Sequence, residues 1–341
     1  MSPREIAIVS YASLLAVPGE PQRDEVELLL PVVTEAVARS GIPKRELGFT
    51  VSGSCDYLGG RPFSFVMALD AIGAWPPIAE SHVEMDGAFA LYEAWVRLQC
   101  GDVDSALVYA FGRSTQGDLG RVLAQQLDPY TLSPLWPDDT ALAALQARAL
   151  LDRGRVSERD FAAVAARTRG GDADELVQRP YTVAPLRAHD RGTVADGAAA
   201  VVLAAGDLAR KVCKRPAWIR GIDHRIEQHQ LGQRDLTRSV STALAGERAG
   251  VGKGPVDVAE LYAPYTHQEL ILREALGLGE GVEVNPSGGA LAAHPLMVAG
   301  LSRFGEAAER IIDGSANRAV AHATSGPCLQ QNLVAVLEAA P

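Results

Sequence analysis

The chain has 341 residues, of which 47% are hydrophobic and 22% charged, and carries a formal net charge of −10. That length leaves ample volume for a buried core, and the composition is that of a globular protein rather than a disordered one. The acidic excess argues against nucleic acid or anionic membrane as partner, because both select clustered Lys and Arg.

The opening Met1 to Glu5 runs straight into the apolar segment Ile6 to Val9, without the charged-then-apolar layout of a secretion signal. No apolar run approaches the roughly 20 residues that a membrane span requires, so a cytoplasmic location is expected. Cys55, Cys100, Cys213 and Cys328 are widely spaced and form no CxxC pair, which indicates neither a disulfide frame nor a metal site.

Apolar strands alternate with helical stretches, the signature of an α/β chain. Ile6 to Ser10 reads as a strand, Asp24 to Ser40 as a helix ending before Gly41, and Leu47 to Ser52 as a second strand. Phe63 to Ile72 reads as a helix and Ser105 to Phe111 as a strand. From Thr115 to His189 the character changes. Pro129, Pro134 and Pro137 interrupt the chain, and helices rich in arginine follow, with Arg148, Arg153, Arg155, Arg159, Arg167 and Arg169. This stretch reads as an insertion. Strand signals resume at Ala198 to Ala204, Trp218 to Ile222 and Val256 to Leu261.

The two halves echo one another. Glu84 to Ala90 leads through a helix into the strand at Ser105, and Asn285 to Ala292 leads through a longer helix into the strand at Arg318. Any two strand–helix–strand units share this pattern, so the echo alone is weak.

Four segments together carry a resemblance that covers nearly the whole chain. They are Glu84 to Phe111, the run Asp190-Arg191-Gly192-Thr193-Val194-Ala195-Asp196-Gly197-Ala198, the strand and loop Asp257 to Tyr265, and the Gly-rich turn Asn285-Pro286-Ser287-Gly288-Gly289 followed by His294-Pro295. In this order and spacing they resemble the thiolase superfamily, most closely its sterol-carrier or lipid-transfer-protein branch. The resemblance implies a thiolase fold, with a five-layered αβαβα core of two similar halves and an inserted loop domain covering an acyl-CoA. It divides the chain into an N-terminal half (1–115), the insertion (116–189), a return strand of the first half (190–208) and a C-terminal half (209–341). It also implies a dimer-based assembly.

One departure governs the chemistry. The position that holds the acyl-accepting cysteine in thiolases falls here on Glu84, and a carboxylate cannot replace that thiolate, since the acyl anhydride would be far too labile. The second cysteine is also missing from the region around His322 to Pro327, with Cys328 just beyond it. Thiolysis through a thioester intermediate is therefore not expected.

Tyr262 follows the strand ending at Leu261, where open α/β sheets gather ligands, and Thr266 with Glu269 reads as a capping box starting the next helix. Locally such a tyrosine packs its ring and bonds the backbone. The resemblance implies more, because steroid-degrading lyases of the lipid-transfer branch place a catalytic tyrosine at the matching position. His294 precedes Pro295, a favoured first-turn residue, so its imidazole is expected at a helix N-terminus, held neutral by the helix field and able to donate to an enolate oxygen. The alternative is a histidine satisfied by the turn. Glu84, Asp86, Gly288, Gly289 and His322 are pocket candidates, and the Arg148 to Arg169 stretch is a candidate for CoA phosphates or a solvated helix face.

The leading expectation is a carbon–carbon lyase, or a subunit of one, that cleaves a β-hydroxyacyl-CoA of a sterol or bile-acid side chain by retro-aldol chemistry. Tyr262 would serve as the proton carrier and His294 as the enolate donor, with CoA entering only as part of the substrate. A thiolase-like paralogue, a small OB-fold acyl-CoA-binding protein, or both, are the expected partners. The alternative is a catalytically silent thiolase-like subunit that stabilises an active paralogue or binds acyl-CoA without turning it over.

Overall fold

A computed structural model describes residues 4–16, 22–60 and 62–341. Met1 to Pro3, the start of the N-terminal stretch considered above, lie outside the described residues.

The apolar runs form β1 (Ile6–Ala16), β2 (Phe49–Gly53), β3 (Glu80–Val83), β4 (Ser105–Arg113), β5 (Tyr181–Val183), β6 (Leu186–Arg187), β7 (Asp196–Ala205), β8 (Ala217–Ile226), β9 (Val258–Leu261), β10 (Glu283–Val284), β11 (Arg318–Ser325) and β12 (Gln331–Glu338). Ten of them follow the order β10-β9-β11-β12-β8-β1-β7-β4-β2-β3, and β5 and β6 pair separately. β1 and β8 meet only through Ala7 with Trp218 and Ile8 with Ala217. On either side of that junction the strands repeat one plan, antiparallel twice and then parallel twice. The sequence echo is thus a duplicated sheet.

Strand parity sorts side chains into layers. On β4, Ala106, Val108 and Ala110 face the middle of the molecule, and Leu107, Tyr109 and Phe111 face outward. On β12, Leu333, Ala335 and Leu337 face the middle, and Val334 and Val336 face outward. Two helices, Gly87–Cys100 and Ala299–Ile312, fill the middle layer between the two half-sheets. A helix covered on both sides must be apolar or small around most of its circumference. Ala88, Ala90 and Ala94 on one helix, and Ala307 and Ala308 on the other, meet that demand. Glu25–Ser40 covers the outer face of the first half-sheet, and Val240–Ala249 with Thr266–Ala275 covers that of the second. The result is αβαβα.

The Asp24 capping box with Glu27 and the left-handed Gly41 bound the first helix as its sequence implies. Phe63 to Ile72 is not one helix. Asp56 takes the amides of Phe63 and Ser64, Phe63 turns left-handed, and a 3-10 turn (Ser64–Ala68) precedes a single α turn (Leu69–Ile72). The strand expected from Leu47 begins at Phe49 after a 3-10 turn, and the one expected from Val256 begins at Val258. Between β4 and β7 lie the helices Leu119–Gln125, Asp139–Asp152, Glu158–Arg169 and Ala173–Leu176. Among the described residues no helix is long and apolar enough to cross a membrane.

Candidate active site

β9 lies between β10 and β11, and Tyr262 is the first residue beyond its carboxyl end. The strand end is fixed from two sides. The Asn285 carboxamide oxygen accepts from Leu261 N at 2.6 Å, and Tyr262 N donates to the His322 carbonyl at 3.2 Å. The segment 191–195 threads between the two site loops, with Gly192 N donating to Pro264 O at 2.8 Å and His294 N donating to Thr193 O at 2.7 Å. These ties bring the Tyr262 hydroxyl to 2.8 Å from His294 Nε2, with the rings edge to face at 5.5 Å.

Burial pushes the Tyr262 phenol well above its ordinary value, Asp86 adds to the rise, and Arg303 opposes it. Burial lowers the His294 imidazole to about 4, helped by Arg191. Both groups are neutral across the physiological range. The expected cause was different: the helix starts only at Ala299, five residues beyond His294, and His294 itself bridges Val194. Desolvation, not a helix field, keeps the imidazole neutral. A neutral phenol bonded to a neutral imidazole can relay a proton, one group accepting as the other hands on.

The other sequence candidates lie at different depths. Glu84 is exposed, and its carboxylate ties a turn by accepting from Asp56 N at 2.6 Å and meeting His82 Nε2 at 3.1 Å. The cap of the helix Gly87–Cys100 is Asp86, two residues further on, with its carboxylate taking Ala88 N at 2.9 Å. Burial raises Asp86 to about 6 despite three amide donors and Arg303. Gly288 and Gly289, both at positive φ, turn the chain from Asn285 toward His294. His322 is not brought to the pair. It lies on β11 between Ala321 and Ala323, which face the middle layer with Tyr262, so its own side chain points to the outer face. There its Nε2 meets Asn332 Oδ1 at 2.9 Å.

Neither Cys55 nor Cys328 is an activated thiol. Burial raises Cys55, whose sulfur accepts from Gln126 Nε2 at 3.1 Å, and pushes Cys328, directed at the Leu142 carbonyl, up to about 12. The arginines from Arg148 to Arg169 all have protein partners: Asp152, Asp235, Glu274, Asp174 and Glu269 in turn, with Arg169 on the carbonyls of Arg191 and Leu291. Asp152 and Asp174 come from residues 116–189, and Asp235, Glu269 and Glu274 reach the arginines from the C-terminal half. The expected capping box at Thr266 does not form. Thr266 Oγ1 donates to Asp190 at 2.7 Å, and Glu269, fully buried, takes Arg167 at 2.6 Å and Asn285 Nδ2 at 2.9 Å.

Sequence reasoning passed over Arg303 and Glu260, a buried ion pair at 2.7 Å that Ser287 completes by donating its hydroxyl to Glu260 at 2.7 Å. The available signal was a single arginine in the small-residue run Ala299-Gly300-Leu301-Ser302-Arg303-Phe304-Gly305. A cation in a helix buried on all sides needs a buried anion.

The chain has the thiolase fold. It superposes over 99% of its length, and 99% of the other chain, on an Ltp2-ChsH2(DUF35) aldolase with a TM-score of 0.80 at 19% identity. The human mitochondrial 3-ketoacyl-CoA thiolase matches at 0.78 and 15%, and the Bacillus anthracis acetyl-CoA acetyltransferase at 0.80 and 16%, each with 99% of both chains covered. In sequence, the chain is 26% identical over 190 residues to the benzoylsuccinyl-CoA thiolase subunit BbsB of Thauera aromatica, 47% of this chain and 49% of that protein. It is 28% identical over 175 residues to the acetyl-CoA acetyltransferase of Methanothermobacter thermautotrophicus, 42% of this chain and 45% of that one. The chain thus spans about half the length of the curated relatives it matches. No protein-family model matches it.

Proposed function

We propose that this chain is an acyl-CoA carbon–carbon lyase, or a subunit of one, that cleaves a β-hydroxyacyl-CoA by retro-aldol chemistry. The observation that carries the reading is the 2.8 Å contact between the Tyr262 hydroxyl and His294 Nε2 in a thiolase fold, taken with the sequence reading of Glu84 at the nucleophile position. Retro-aldol cleavage needs proton transfer and enolate stabilisation, but no covalent nucleophile. In the proposed step the β-hydroxyl proton passes to the Tyr262 oxygen while the Tyr262 proton moves to His294 Nε2. The Cα–Cβ bond breaks, its electrons form the thioester enolate, and Cβ becomes the carbonyl carbon of the released product. The imidazolium then balances the enolate charge, and its proton returns through the pair to Cα, giving the shortened acyl-CoA.

Under this reading the substrate is a sterol or bile-acid side-chain thioester, no cofactor beyond its CoA is needed, and residues 116–189 cover the acyl-CoA. The cytoplasmic assembly is dimer-based, with a thiolase-like paralogue, a small OB-fold acyl-CoA-binding protein, or both. The structural neighbour named for two components, Ltp2 and ChsH2(DUF35), supports a partnered enzyme. The second reading, a catalytically silent subunit, is favoured by one observation: burial opposes any phenolate at Tyr262.

The deciding experiment assays the chain alone and with co-expressed neighbouring gene products against a panel of β-hydroxyacyl-CoAs, with Tyr262→Phe in the same assembly. Cleavage lost in Tyr262→Phe supports the lyase. Cleavage retained there assigns the chemistry to the partner and this chain to the silent role.

A further inference from the structure

Residues 293–298, which carry His294, belong to the second half-sheet's connection but are held by the first half. His294 N donates to Thr193 O at 2.7 Å, and its carbonyl accepts from Ala195 N at 3.3 Å. Leu296 N donates to Ser114 Oγ at 2.9 Å, and the Met297 carbonyl accepts from Gly87 N at 2.8 Å. Asp86 completes the set. One carboxylate oxygen accepts from Ala88 N at 2.9 Å and Leu301 N at 3.0 Å, and the other accepts from Gly300 N at 2.9 Å. A single side chain, 2% exposed, therefore caps both middle-layer helices at once.

Two features exceed what an ordinary helix cap requires. Met297 sits at φ 70, a left-handed conformation that a side chain of this kind adopts only where its surroundings over-determine it. Its carbonyl bond to Gly87 and the Asp86 bonds to the following turn bracket that residue. The two helices also meet through glycines. A Cβ on Gly300 would overlap the Asp86 carboxylate, and one on Gly87 would press on the Leu301 side chain at 2.9 Å.

We infer that Asp86 is a positioning residue for His294, setting the approach of the two middle-layer helices and thereby seating the imidazole against the Tyr262 hydroxyl. The charged and titratable groups facing its carboxylate are Arg303 and Tyr262. The inference rests on the proposed lyase chemistry only for its kinetic consequences, since the seating of the imidazole can be observed without turnover.

The test uses the full chain with ¹⁵N-labelled histidine and four variants: Asp86→Asn, Gly300→Ala, their combination, and Asp86→Ser. Gly300→Ala disturbs the clasp without removing charge. Serine can still cap Ala88 N but is too short to hold the second helix. Imidazole ¹⁵N spectra followed against pH should show His294 neutral to about 4 in the wild type. In Asp86→Asn and in Gly300→Ala its Nε2 signal should move, and its midpoint should rise by roughly one unit or more toward the ordinary value as water reaches the ring. The double variant should be no worse than the more affected single one. Asp86→Ser should restore the melting temperature more than the His294 signal. In the intact complex, kcat should fall by roughly 10²-fold, as for a displaced catalytic group, with KM little changed. Unmoved His294 signals in both Asp86→Asn and Gly300→Ala would overturn the inference, as would full recovery in Asp86→Ser, which would reduce Asp86 to a simple cap. If the wild-type complex shows no cleavage, the lyase reading fails while the spectra still decide the role of Asp86.

Discussion

Acidification should destabilise this protein through three desolvated histidines. Burial holds His267 at about 3, His294 at about 4 and His322 at about 4, all below the ordinary 6.5. Because the folded values lie below the unfolded one, the unfolded chain takes up these protons first. The stability they contribute is complete above pH 6.5 and is lost as the pH falls toward 4. At pH 5 each costs about 2 kcal/mol, or about 6 kcal/mol together. Asp86 works in the opposite sense. Its folded value is raised to about 6, so protonation relieves its burial as the pH falls, returning about 1.4 kcal/mol at pH 5. The net loss is about 5 kcal/mol, comparable with the whole stability of a modest domain. At about 2.1 cal/mol/K of unfolding entropy per residue over 341 residues, this corresponds to a melting temperature about 7 °C lower at pH 5 than at pH 7.5. Scanning calorimetry across that range, paired with imidazole NMR titrations, measures both sides of the linkage. A flat melting temperature, with the three histidines titrating near 6.5 in the folded protein, would refute the reasoning.

Tyr262→Phe should fold, since the ring and its packing remain, and should lose about 1 kcal/mol from the missing bond to His294; chemical denaturation checks this. Its turnover in the intact complex should fall by roughly 10²–10⁴-fold with acyl-CoA affinity retained, whereas unchanged turnover would remove this chain from the chemistry. The protein should form no acyl-enzyme, so intact-mass analysis after incubation with a labelled β-ketoacyl-CoA should show no adduct, and an acyl group on Cys55 or Cys328 would overturn the assignment of Glu84 to the nucleophile position. Arg167→Met leaves the buried Glu269 charge with only Asn285, and should cost about 3 kcal/mol by urea unfolding; a change within about 0.5 kcal/mol would mean the pair is solvent-screened. Light scattering after size exclusion should find a dimer-based assembly, and a fully active monomer would contradict it.

What the sequence made legible was whatever depends on neighbours close in the chain. The helix read from Asp24 to Ser40 and its Gly41 stop need only a few adjacent residues, and both appear as read, with Asp24 and Glu27 closing a capping box at its start. The Thr266 and Glu269 pattern has the same local form and fails, because Asp190 and Arg167, 76 and 102 residues away, compete for those side chains and win. His294 shows the same limit. Its neutrality was expected from a helix start, yet it comes from burial by loops contributed from both halves, a feature no local pattern encodes. His322 could have been separated from Tyr262 by strand parity, since Ala321 and Ala323 flank it. Parity alone, however, does not say which face meets the middle layer until the duplicated sheet is known. Asp86 was readable as the start of a helix, but its second helix lies 214 and 215 residues on. The groups that join the two halves are therefore the ones least visible in the sequence, and the Tyr262–His294 pair is held in place by such joins.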